Sequence, residues 1–494
     1  MYHQPSKKAI LRKKIATMFV SATVVVVGVV ILSAYMLGYS INRKDGRVER
    51  MGILQLGSTP GGAEVYINGQ PYNDATPARL VLSQGTFDVR LEREKYHAWH
   101  KNVAVKAGEL TWAKYPRLIP KELPITAVAE LPATLADALP SGSSKRYAFL
   151  EKVDTPTIRI ASIDRDEPVF KTVTVPETIY SRTGEVQGDH AFKLHLWSGN
   201  ERFIILQHTY NTQQSTEWLM VDTEKPEESL NITTLFGLDD ITELVFSDYG
   251  GSQLYALTHG AVRSFDIASR TISSPIVEHV ENFRLYGDGY VLFSSHKPDS
   301  KLRTIGYAKK DFKRPYTVKT VPFKPEHKVF FDIAKYYDRY YFLIADGVEA
   351  QLYSGRSLPH DTATNLELKE VAALHTEQPI IAANITENGQ LATVQDGTMF
   401  TTYNLEAAAQ HSTKIQKNTA ATPQKLRYLD TYLLWAEHEG KLRTYEFDGG
   451  NQHDIMPIEA RFDATLSPSG KYLYGVRKTE ASSYEFIRVK LLDI

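Results

Sequence analysis

Histidine pairs are the first residues to consider for chemistry, because imidazoles bind metal ions and transfer protons. His97 and His100 lie three residues apart in a segment with the alternation of a strand. Residues at that spacing on a strand point to opposite faces, so the pair has no shared metal position and no third ligand in reach. We expect Tyr96 and Trp99 to cover the core and the two histidines to face solvent.

The other polar clusters also favour structural roles. His190 and His195 stand five residues apart around a predicted strand, which is poor ligand spacing. The acidic run Asp164–Glu167 lacks the glycine and terminal glutamate of a calcium loop and predicts a solvated turn. Ser247–Gly251 only partly matches the Asp-box of sialidases and predicts a turn between strands. Lys309–Arg314 predicts a solvated hairpin, with contact to an anionic wall polymer or lipid headgroups as the alternative.

Motifs of the common catalytic sites are missing. The sequence contains no Gly-x-Ser-x-Gly elbow, no His-Glu-x-x-His, no phosphate loop and no Gly-x-Gly-x-x-Gly. The absence of cysteine excludes disulfides, thiolate metal sites and cysteine nucleophiles. We therefore predict no catalytic, cofactor-binding or metal-ligating residue and no cofactor. Carboxylates that meet only in three dimensions leave a hydrolase or lyase open as the alternative.

Charge is divided unevenly along the chain. The 494 residues carry 57 basic and 58 acidic side chains, a formal charge of −1, which argues against nucleic acid as a partner. Residues 1–50 contain nine basic and two acidic residues, or +7, which leaves 48 basic and 56 acidic residues, or −8, in the remainder. The two parts are expected to face different surroundings.

Residues 15–37 predict a transmembrane helix. This 23-residue run has no charge, and at 1.5 Å per residue it extends about 34 Å, enough for a hydrocarbon core of about 30 Å. Five basic residues precede it and four follow by residue 50, which favours a cytoplasmic basic tail over residues 1–14. Residues 38–52 are predicted to form a juxtamembrane stalk. The alternative is a cleaved signal peptide, for which Ser33-Ala34-Tyr35 is a poor cleavage site.

Residues 53–120 predict a compact all-β module. Ala63, Val65 and Ile67 alternate on one face, and Asn68-Gly69 is a strong signal for a tight hairpin. The segment resembles the PEGA domain, a small β-sandwich of prokaryotic envelope proteins. The matching positions are Ser58, Pro60, Gly62-Ala63, Val65-Tyr66-Ile67, Asn68-Gly69, Thr76-Pro77, Gly85, Tyr96 and Trp99. The resemblance implies an envelope location and a binding or spacer role.

Residues 125–494 predict a β-propeller. Short apolar strands recur every 36–50 residues, and Pro468-Ser469-Gly470 forms the clearest turn between two of them. Pro140-Ser141-Gly142 stands in the same place near the start. The pattern resembles TolB-like and WD-repeat propellers and indicates eight blades, with seven as the alternative. Ile125–Glu130 is expected to supply the outer strand of the last blade and so remove an exposed sheet edge. A pair of β-sandwiches is the competing architecture.

Taken together, the sequence predicts an all-β, single-pass protein of the cell membrane with a cytoplasmic N-terminus and most of the chain extracytoplasmic. The expected function is a binding or scaffold protein of the prokaryotic envelope that recognises another protein or a cell-wall polymer. The expected partners are the membrane, through residues 15–37, and an envelope protein or wall polymer, with no indication of oligomeric state. The alternative is a membrane-tethered hydrolase or lyase that acts on wall polysaccharide or peptide at the mouth of the propeller channel.

Overall fold

The computed structural model describes residues 7–36, 39–41, 48–181, 190–210, 215–247, 249–358, 368–415 and 425–492. By its internal contacts the chain divides into two compact units, residues 1–122 and residues 123–493. Strands dominate both units.

The first element is the apolar helix α1 (Lys7–Met36). Its segment Lys14–Ala34 is long and apolar enough to cross a membrane, and its apolar side chains lie exposed on every side. Of the predicted span 15–37, Leu37 lies outside the described residues. Among those residues this is the one such helix, and its position near the N-terminus fits either a membrane anchor or a signal sequence.

The rest of the first unit is a sandwich of two four-stranded sheets. In one, β2 lies between β1 and β5 and also pairs in parallel with β8, and in the other the order is β4-β3-β6-β7. The strands are β1 (Tyr39–Ile41), β2 (Val48–Leu56), β3 (Glu64–Ile67), β4 (Gln70–Ala75), β5 (Ala78–Ser83), β6 (Gly85–Glu92), β7 (Trp99–Val105) and β8 (Leu110–Ala113).

Alternation along these strands builds the core between the two sheets. Ala63 and Val65 are fully buried, and Tyr96 and Trp99 are buried with them, as predicted. The hairpin between β3 and β4 turns at Asn68 and Gly69, which have φ of 50° and 75°. Two consecutive positive φ angles are those of a type I′ turn, so the Asn-Gly signal is confirmed.

The region predicted as a stalk is partly strand. β2 begins at Val48, five residues before the predicted start, and pairs with Tyr39–Ile41. The segment Val48–Met51 has Glu49 and Arg50 side by side between two apolar residues, which breaks the period-two alternation of a strand and looks like a polar linker in the sequence. Gly52 is required here because a Cβ would lie 2.3 Å from the carbonyl oxygen of Lys106.

The second unit is an eight-bladed β-propeller. In the described residues it consists of eight antiparallel sheets, each with a path of four strands, and seven of them are formed by consecutive strands. A short strand β9 (Ile125–Leu131) precedes them.

The strands of blades 1 to 4 are, in chain order, β10 (Asp137–Pro140), β11 (Arg146–Leu150), β12 (Thr157–Ser162) and β13 (Val169–Thr174); β14 (Ala191–Trp197), β15 (Phe203–Tyr210), β16 (Ser215–Asp222) and β17 (Leu230–Asn231); β18 (Glu243–Phe246), β19 (Gln253–Thr258), β20 (Ala261–Asp266) and β21 (Thr271–Ile272); and β23 (Val280–Tyr286), β24 (Tyr290–His296), β25 (Leu302–Ala308) and β26 (Tyr316–Pro322). Blade 2 also carries the helices η1 (Pro226–Glu228) and α2 (Ile232–Phe236), and β22 (Val277–Glu278) pairs with β20.

The strands of blades 5 to 8 are β27 (Val329–Tyr336), β28 (Arg339–Asp346), β29 (Glu349–Gly355) and β30 (Lys369–His375); β31 (Ala382–Ile385), β32 (Leu391–Gln395), β33 (Met399–Asn404) and β34 (Ala409–Lys414); β35 (Arg427–Tyr428), β36 (Leu433–His438), β37 (Lys441–Glu446) and β38 (His453–Pro457); and β39 (Thr465–Leu466), β40 (Tyr472–Lys478) and β41 (Tyr484–Lys490).

Blade 8 takes its fourth strand from the other end of the unit. β9 pairs with β41, with Tyr484 opposite Leu131 and Val489 opposite Ile125. The predicted closure by Ile125–Glu130 is therefore confirmed, and the ring of sheets joins its two chain ends.

Each blade is buried on both faces, which explains the continuous apolar runs of the sequence. In β11, Ala148 and Leu150 pack toward blade 2, while Tyr147 and Phe149 pack toward blade 8. Successive side chains of a strand point to opposite faces, so one strand supplies the cores of two interfaces. The same division recurs in β15, β16, β19 and β28.

The turn between the first two strands repeats one hydrogen-bonding device. In blades 1, 2, 6 and 8 a hydroxyl accepts the backbone N–H of the residue five positions later. These bonds are Arg146 N to Ser141 Oγ (3.0 Å), Phe203 N to Ser198 Oγ (2.9 Å), Leu391 N to Thr386 Oγ1 (3.0 Å) and Tyr472 N to Ser467 Oγ (3.1 Å). The predicted turn of blade 8 thus recurs in three blades where its sequence has diverged.

Substitution of Phe486 tests the closure between blades 8 and 1. Its ring is fully buried, with its centroid 4.9 Å from that of Phe149. We expect Phe486→Ala to lower the free energy of unfolding of the propeller by about 3–5 kcal/mol, because lost burial and the remaining cavity both destabilise. Guanidinium unfolding followed by circular dichroism measures this. Val169→Ala, at a side chain that is 56% exposed, should cost less than about 0.5 kcal/mol, and equal losses would contradict the closure.

Candidate binding site at the propeller axis

A cavity of about 1040 Å³ lies at the axis of the propeller. Its walls come from the first strands, or the segments next to them, of blades 1, 4, 5, 6, 7 and 8, together with Gln395 from the second strand of blade 6. First strands are the innermost strands of a propeller, so six blades converge on this space. The charged side chains among the lining residues are Arg284, Lys328, Glu387, Lys425, Arg427, Asp430 and Asp463.

An ion pair joins blades 4 and 5 beside the cavity. Arg284 Nη1 lies 2.9 Å from Asp332 Oδ2, and the Asp332 side chain is almost fully buried. The same carboxylate accepts the backbone N–H groups of Ile333 and Ile385, both at 2.8 Å, and the second belongs to blade 6. Burial raises the pKa of Asp332, although Arg284 and the two N–H groups oppose the shift.

A second ion pair joins blades 7 and 8. Arg427 Nε lies 2.9 Å from Asp463 Oδ1, and its guanidinium donates to the carbonyl oxygens of Ala460 and Phe462. The guanidinium also lies 5.0 Å from the ring centroid of Trp435. Three kinds of contact therefore position Arg427, and its charge is already matched within the fold.

Neutral polar groups form the wall between blades 6 and 7. Gln395 donates to Leu426 O and accepts from Leu426 N, at 3.0 and 2.6 Å. The Tyr428 hydroxyl lies 2.6 Å from Thr393 Oγ1, and burial raises the pKa of Tyr428 to about 12. Tyr428 is thus protonated at neutral pH and keeps a hydrogen to donate.

The cavity is suited to polar recognition. Of its lining acids, Asp463 is paired with Arg427, and Asp430 accepts the backbone N–H groups of Tyr432 and Leu433. In the part of the chain that the structure describes, the lining contains no histidine. These two acids connect blades or cap a turn, while Glu387, Lys328 and Lys425 add one further acid and two cations to the lining.

The two histidines of the first unit face solvent as expected, but only His100 lies in a strand, because β7 begins at Trp99. His97 and His100 are both exposed. His100 Nε2 contacts the carboxylate of Asp88 across the β6–β7 pair.

His190 and His195 lie in separate networks of blade 2. His195 Nε2 is 2.9 Å from Glu243 Oε1 in blade 3. His190 Nδ1 is 2.9 Å from His208 Nε2, and His208 Nδ1 is 2.8 Å from Glu217 Oε1. The pairing of His190 with a buried histidine and glutamate was not foreseen.

The buried pair could have been found from the hairpin register. β15 and β16 pair from Phe203 opposite Asp222 to Tyr210 opposite Ser215, and this register sets His208 directly opposite Glu217. Both side chains are almost fully buried, and Glu217 also accepts Ser181 N, Ser181 Oγ and Asn231 Nδ2 at 2.7–2.9 Å. Burial raises the pKa of Glu217, but these hydrogen bonds and the one from His208 outweigh it and leave the pKa below its ordinary value.

The acidic run Asp164–Glu167 is a turn, as predicted, and it also connects two blades. Lys471 Nζ lies 2.6 Å from Asp166 Oδ2, and Arg488 Nη2 lies 3.0 Å from Glu167 Oε1. Lys471 lies in the first turn of blade 8 and Arg488 lies in β41. Because both are distant from the acidic run in the sequence, the residues around that run do not predict this pairing. The bond from Lys471 lowers the pKa of Asp166.

Two further clusters form turns. Ser247–Gly251 lies between β18 and β19, where a turn was predicted, and Ser247 N donates to Gln253 O. Asp248 in this segment lies outside the described residues. Asp239, Asp240 and His259 lie within 4.8 Å of one another, a grouping missed from the sequence. The Asp240 carboxylate there accepts the Thr258 hydroxyl and His259 N, which makes it a turn cap.

Comparison with known proteins identifies the first module. The family model of the PEGA domain matches residues 51–118. These residues form a PEGA domain. A PEGA domain joined to a propeller suggests a binding or scaffold role.

Solved structures resemble the second unit in fold. The Dos1 propeller is similar over 74% of this chain and 95% of its own, at 10% identity and a TM-score of 0.48. A structure of prolyl endopeptidases is similar over 74% of this chain and 55% of its own, at 10% identity and a TM-score of 0.45. The complex of KlAtg21 with the coiled coil of AgAtg16 is similar over 67% of this chain and 100% of its own, at 11% identity and a TM-score of 0.43. No curated protein sequence matches the chain.

Replacement of Glu217 should remove one pH dependence of stability. A carboxylate with a lowered folded pKa stabilises fully above its ordinary value of 4.5, and this contribution is lost as the pH falls through the folded pKa. We expect Glu217→Gln to lower the free energy of unfolding by about 2–3 kcal/mol at pH 7 and to reduce the further loss of this free energy as the pH falls. Chemical unfolding between pH 3 and pH 7 measures both effects. Exposed Glu227→Gln is the control, and an unchanged loss of stability at acid pH in Glu217→Gln would contradict the assignment.

Replacement of Asp332 should have the opposite pH signature. Its folded pKa is raised above the ordinary 3.8, so its contribution is greatest below that value and declines as the pH rises through the folded pKa. We expect Asp332→Asn to remove this decline. At low pH the variant should be less stable by about 1–3 kcal/mol, because one buried N–H loses its acceptor. Unfolding midpoints across the same pH range measure the effect, and a steeper decline in the variant would refute it.

Proposed function

We propose that the protein is a single-pass, membrane-anchored binding protein of the prokaryotic cell envelope. Residues 15–37 anchor it, the N-terminal tail is cytoplasmic, and the PEGA domain and propeller lie outside. The propeller recognises an envelope protein or a cell-wall polymer, and the chain acts by display and binding without catalysis. The observation that carries the proposal is the order of the chain: an apolar helix, then a PEGA domain, then a propeller.

The orientation is supported by charge. Five basic residues precede the apolar segment without an acidic one, while the four that follow by Arg50 are interleaved with Asp45 and Glu49. Basic residues near a span are retained on the cytoplasmic side, so the shorter N-terminal side is assigned inside. The envelope location that PEGA domains imply agrees with this orientation.

A binding role is supported by the use of charge at the axis. General acid–base or glycosidase chemistry needs carboxylates that converge on one substrate position. Beside the cavity Asp332 is instead matched by Arg284, and in its lining Asp463 is matched by Arg427, in pairs that connect blades. The rest of the lining offers amides, hydroxyls and backbone groups together with Glu387, Lys328 and Lys425, which suit recognition of a polar partner.

The absence of cysteine makes the orientation directly testable. Single-cysteine variants Lys8→Cys and Lys297→Cys would be expressed in the native host, since neither competes with a natural thiol. We expect a membrane-impermeant maleimide to label Lys297→Cys in spheroplasts and to label Lys8→Cys only after lysis. Lys297 is an exposed propeller residue, so poor access within the fold cannot explain a negative result.

Two outcomes would overturn the proposal. Labelling of Lys8→Cys alone in intact spheroplasts would place the propeller inside. Release of a propeller without residues 1–34 into the soluble fraction would identify the helix as a cleaved leader. Mass spectrometry of the recovered protein identifies the second outcome, because a cleaved protein lacks the mass of residues 1–34.

A further inference from the structure

The propeller has one end that is unusually rich in tyrosine. In an antiparallel blade, the turn from the first to the second strand and the turn from the third to the fourth strand lie at the same end, here named the turn face. At or beside the turn face of blades 3 to 5 lie six tyrosines, here named the tyrosine arc. They are Tyr249, Tyr286, Tyr290, Tyr336, Tyr337 and Tyr340.

The arc is a fixed platform of partly exposed rings. Tyr286 and Tyr340 meet edge to face across blades 4 and 5 with centroids 6.4 Å apart, and Tyr336 and Tyr337 lie 4.5 Å apart. Tyr337 is 75% exposed and Tyr249 is 73% exposed. Rings held by neighbours lose little conformational entropy on binding and present both an apolar face and a hydroxyl.

Cations border the arc. Lys309 Nζ lies 5.2 Å from the Tyr290 centroid, and Lys335 Nζ lies 5.4 Å from that of Tyr340. Lys309 begins the basic run Lys309–Arg314, which forms the turn from the third to the fourth strand of blade 4. Lys310, Lys313 and Arg314 in this run are exposed. The basic turn therefore adjoins the arc at the same end of the propeller.

We propose that the tyrosine arc and the basic turn bind an acidic polysaccharide, a chain of sugar rings that carry carboxylate groups. The face of a pyranose is lined with C–H groups and packs on an aromatic ring, its hydroxyls pair with phenols, and its carboxylates pair with lysines. The combination of ring, hydroxyl and cation matches all three chemical features of such a chain. The inference deepens the proposed function, because a wall polymer meets this surface only if the propeller lies outside.

The surface is less suited to a membrane or to a folded partner. Surfaces that enter a bilayer expose Trp, Phe or Leu, and protein interfaces bury an apolar centre. In the described turns at this end of blades 3 to 5, the large apolar side chains more than a third exposed are Tyr249 and Tyr337. Both retain a hydroxyl, so the arc is too polar for either role.

Binding would be measured with the full-length protein in neutral phosphatidylcholine nanodiscs. The probe is a hexasaccharide of alginate, titrated by calorimetry at several salt concentrations. We expect Tyr337→Ala to weaken binding about tenfold, which equals about 1.4 kcal/mol. Lys309→Gln with Lys310→Gln and Lys313→Gln should weaken it at least about tenfold and flatten its salt dependence.

Matched controls come from the opposite end of blade 4 and from the other domain. Lys297→Gln with Lys301→Gln removes exposed lysines between the second and third strands, and Tyr72→Ala removes an exposed tyrosine of the PEGA domain. Both should bind the hexasaccharide like the unchanged protein. A loss in the controls as large as that in the arc variants would refute the site.

Other probes decide what is recognised. Neutral dextran should not bind, and polyglutamate should bind more weakly than the hexasaccharide. Equal binding of polyglutamate would reduce the surface to a charge effect, and preference for phosphatidylglycerol vesicles would make it a lipid site. Absence of hexasaccharide binding overturns this inference alone, because cysteine labelling tests the proposed orientation independently.

Discussion

The propeller depends on one constraint: each sheet must be covered on both faces. A β-strand directs alternate side chains to opposite faces, so Tyr147 and Phe149 join one interface while Ala148 and Leu150 join the next. Stacking sheets in a row would leave two end faces open to water. Closing the row into a ring covers them, and β9 completes the ring by pairing with β41.

Ring closure also determines where charge can be placed. Asp137 and Asp332, in the first strands of blades 1 and 5, make the same pair of contacts. Each accepts the N–H of the next residue and an N–H in the first strand of the following blade, at Leu194 and Ile385. Burial raises the pKa of both. These carboxylates, buried at Asp332 and half-buried at Asp137, connect innermost strands, which leaves recognition to the cavity lining and to the turns.

Prediction from the sequence succeeded where the determining contacts are local. The Asn68-Gly69 turn, the apolar alternation of the PEGA strands and the Ser-containing turn of blade 8 all depend on neighbouring residues. The carboxylate of Asp332 finds Ile385 N 53 residues away, and Lys471 finds Asp166 305 residues away. Such partners follow from blade order and register, which no local pattern contains. The strand at Val48 was missed because the consecutive charged residues Glu49 and Arg50 interrupt the apolar alternation and resemble a linker.

The propeller turns contain some side chains that folding requires and others that it does not require. In four blades a serine or threonine hydroxyl that accepts one backbone N–H is enough to close the turn between the first two strands. The tyrosines of blades 3 to 5 do not supply that bond. Exposing three quarters of the Tyr337 ring to water gains no burial, and Tyr336 bonds outward to Glu406 of blade 6. Tyr286, Tyr290 and Tyr340 also pack against the core between blades 4 and 5, so folding accounts for these three rings. Tyr249 and Tyr337 belong to no core cluster of the described residues, and their exposure at the turn face is better explained by what the surface contacts.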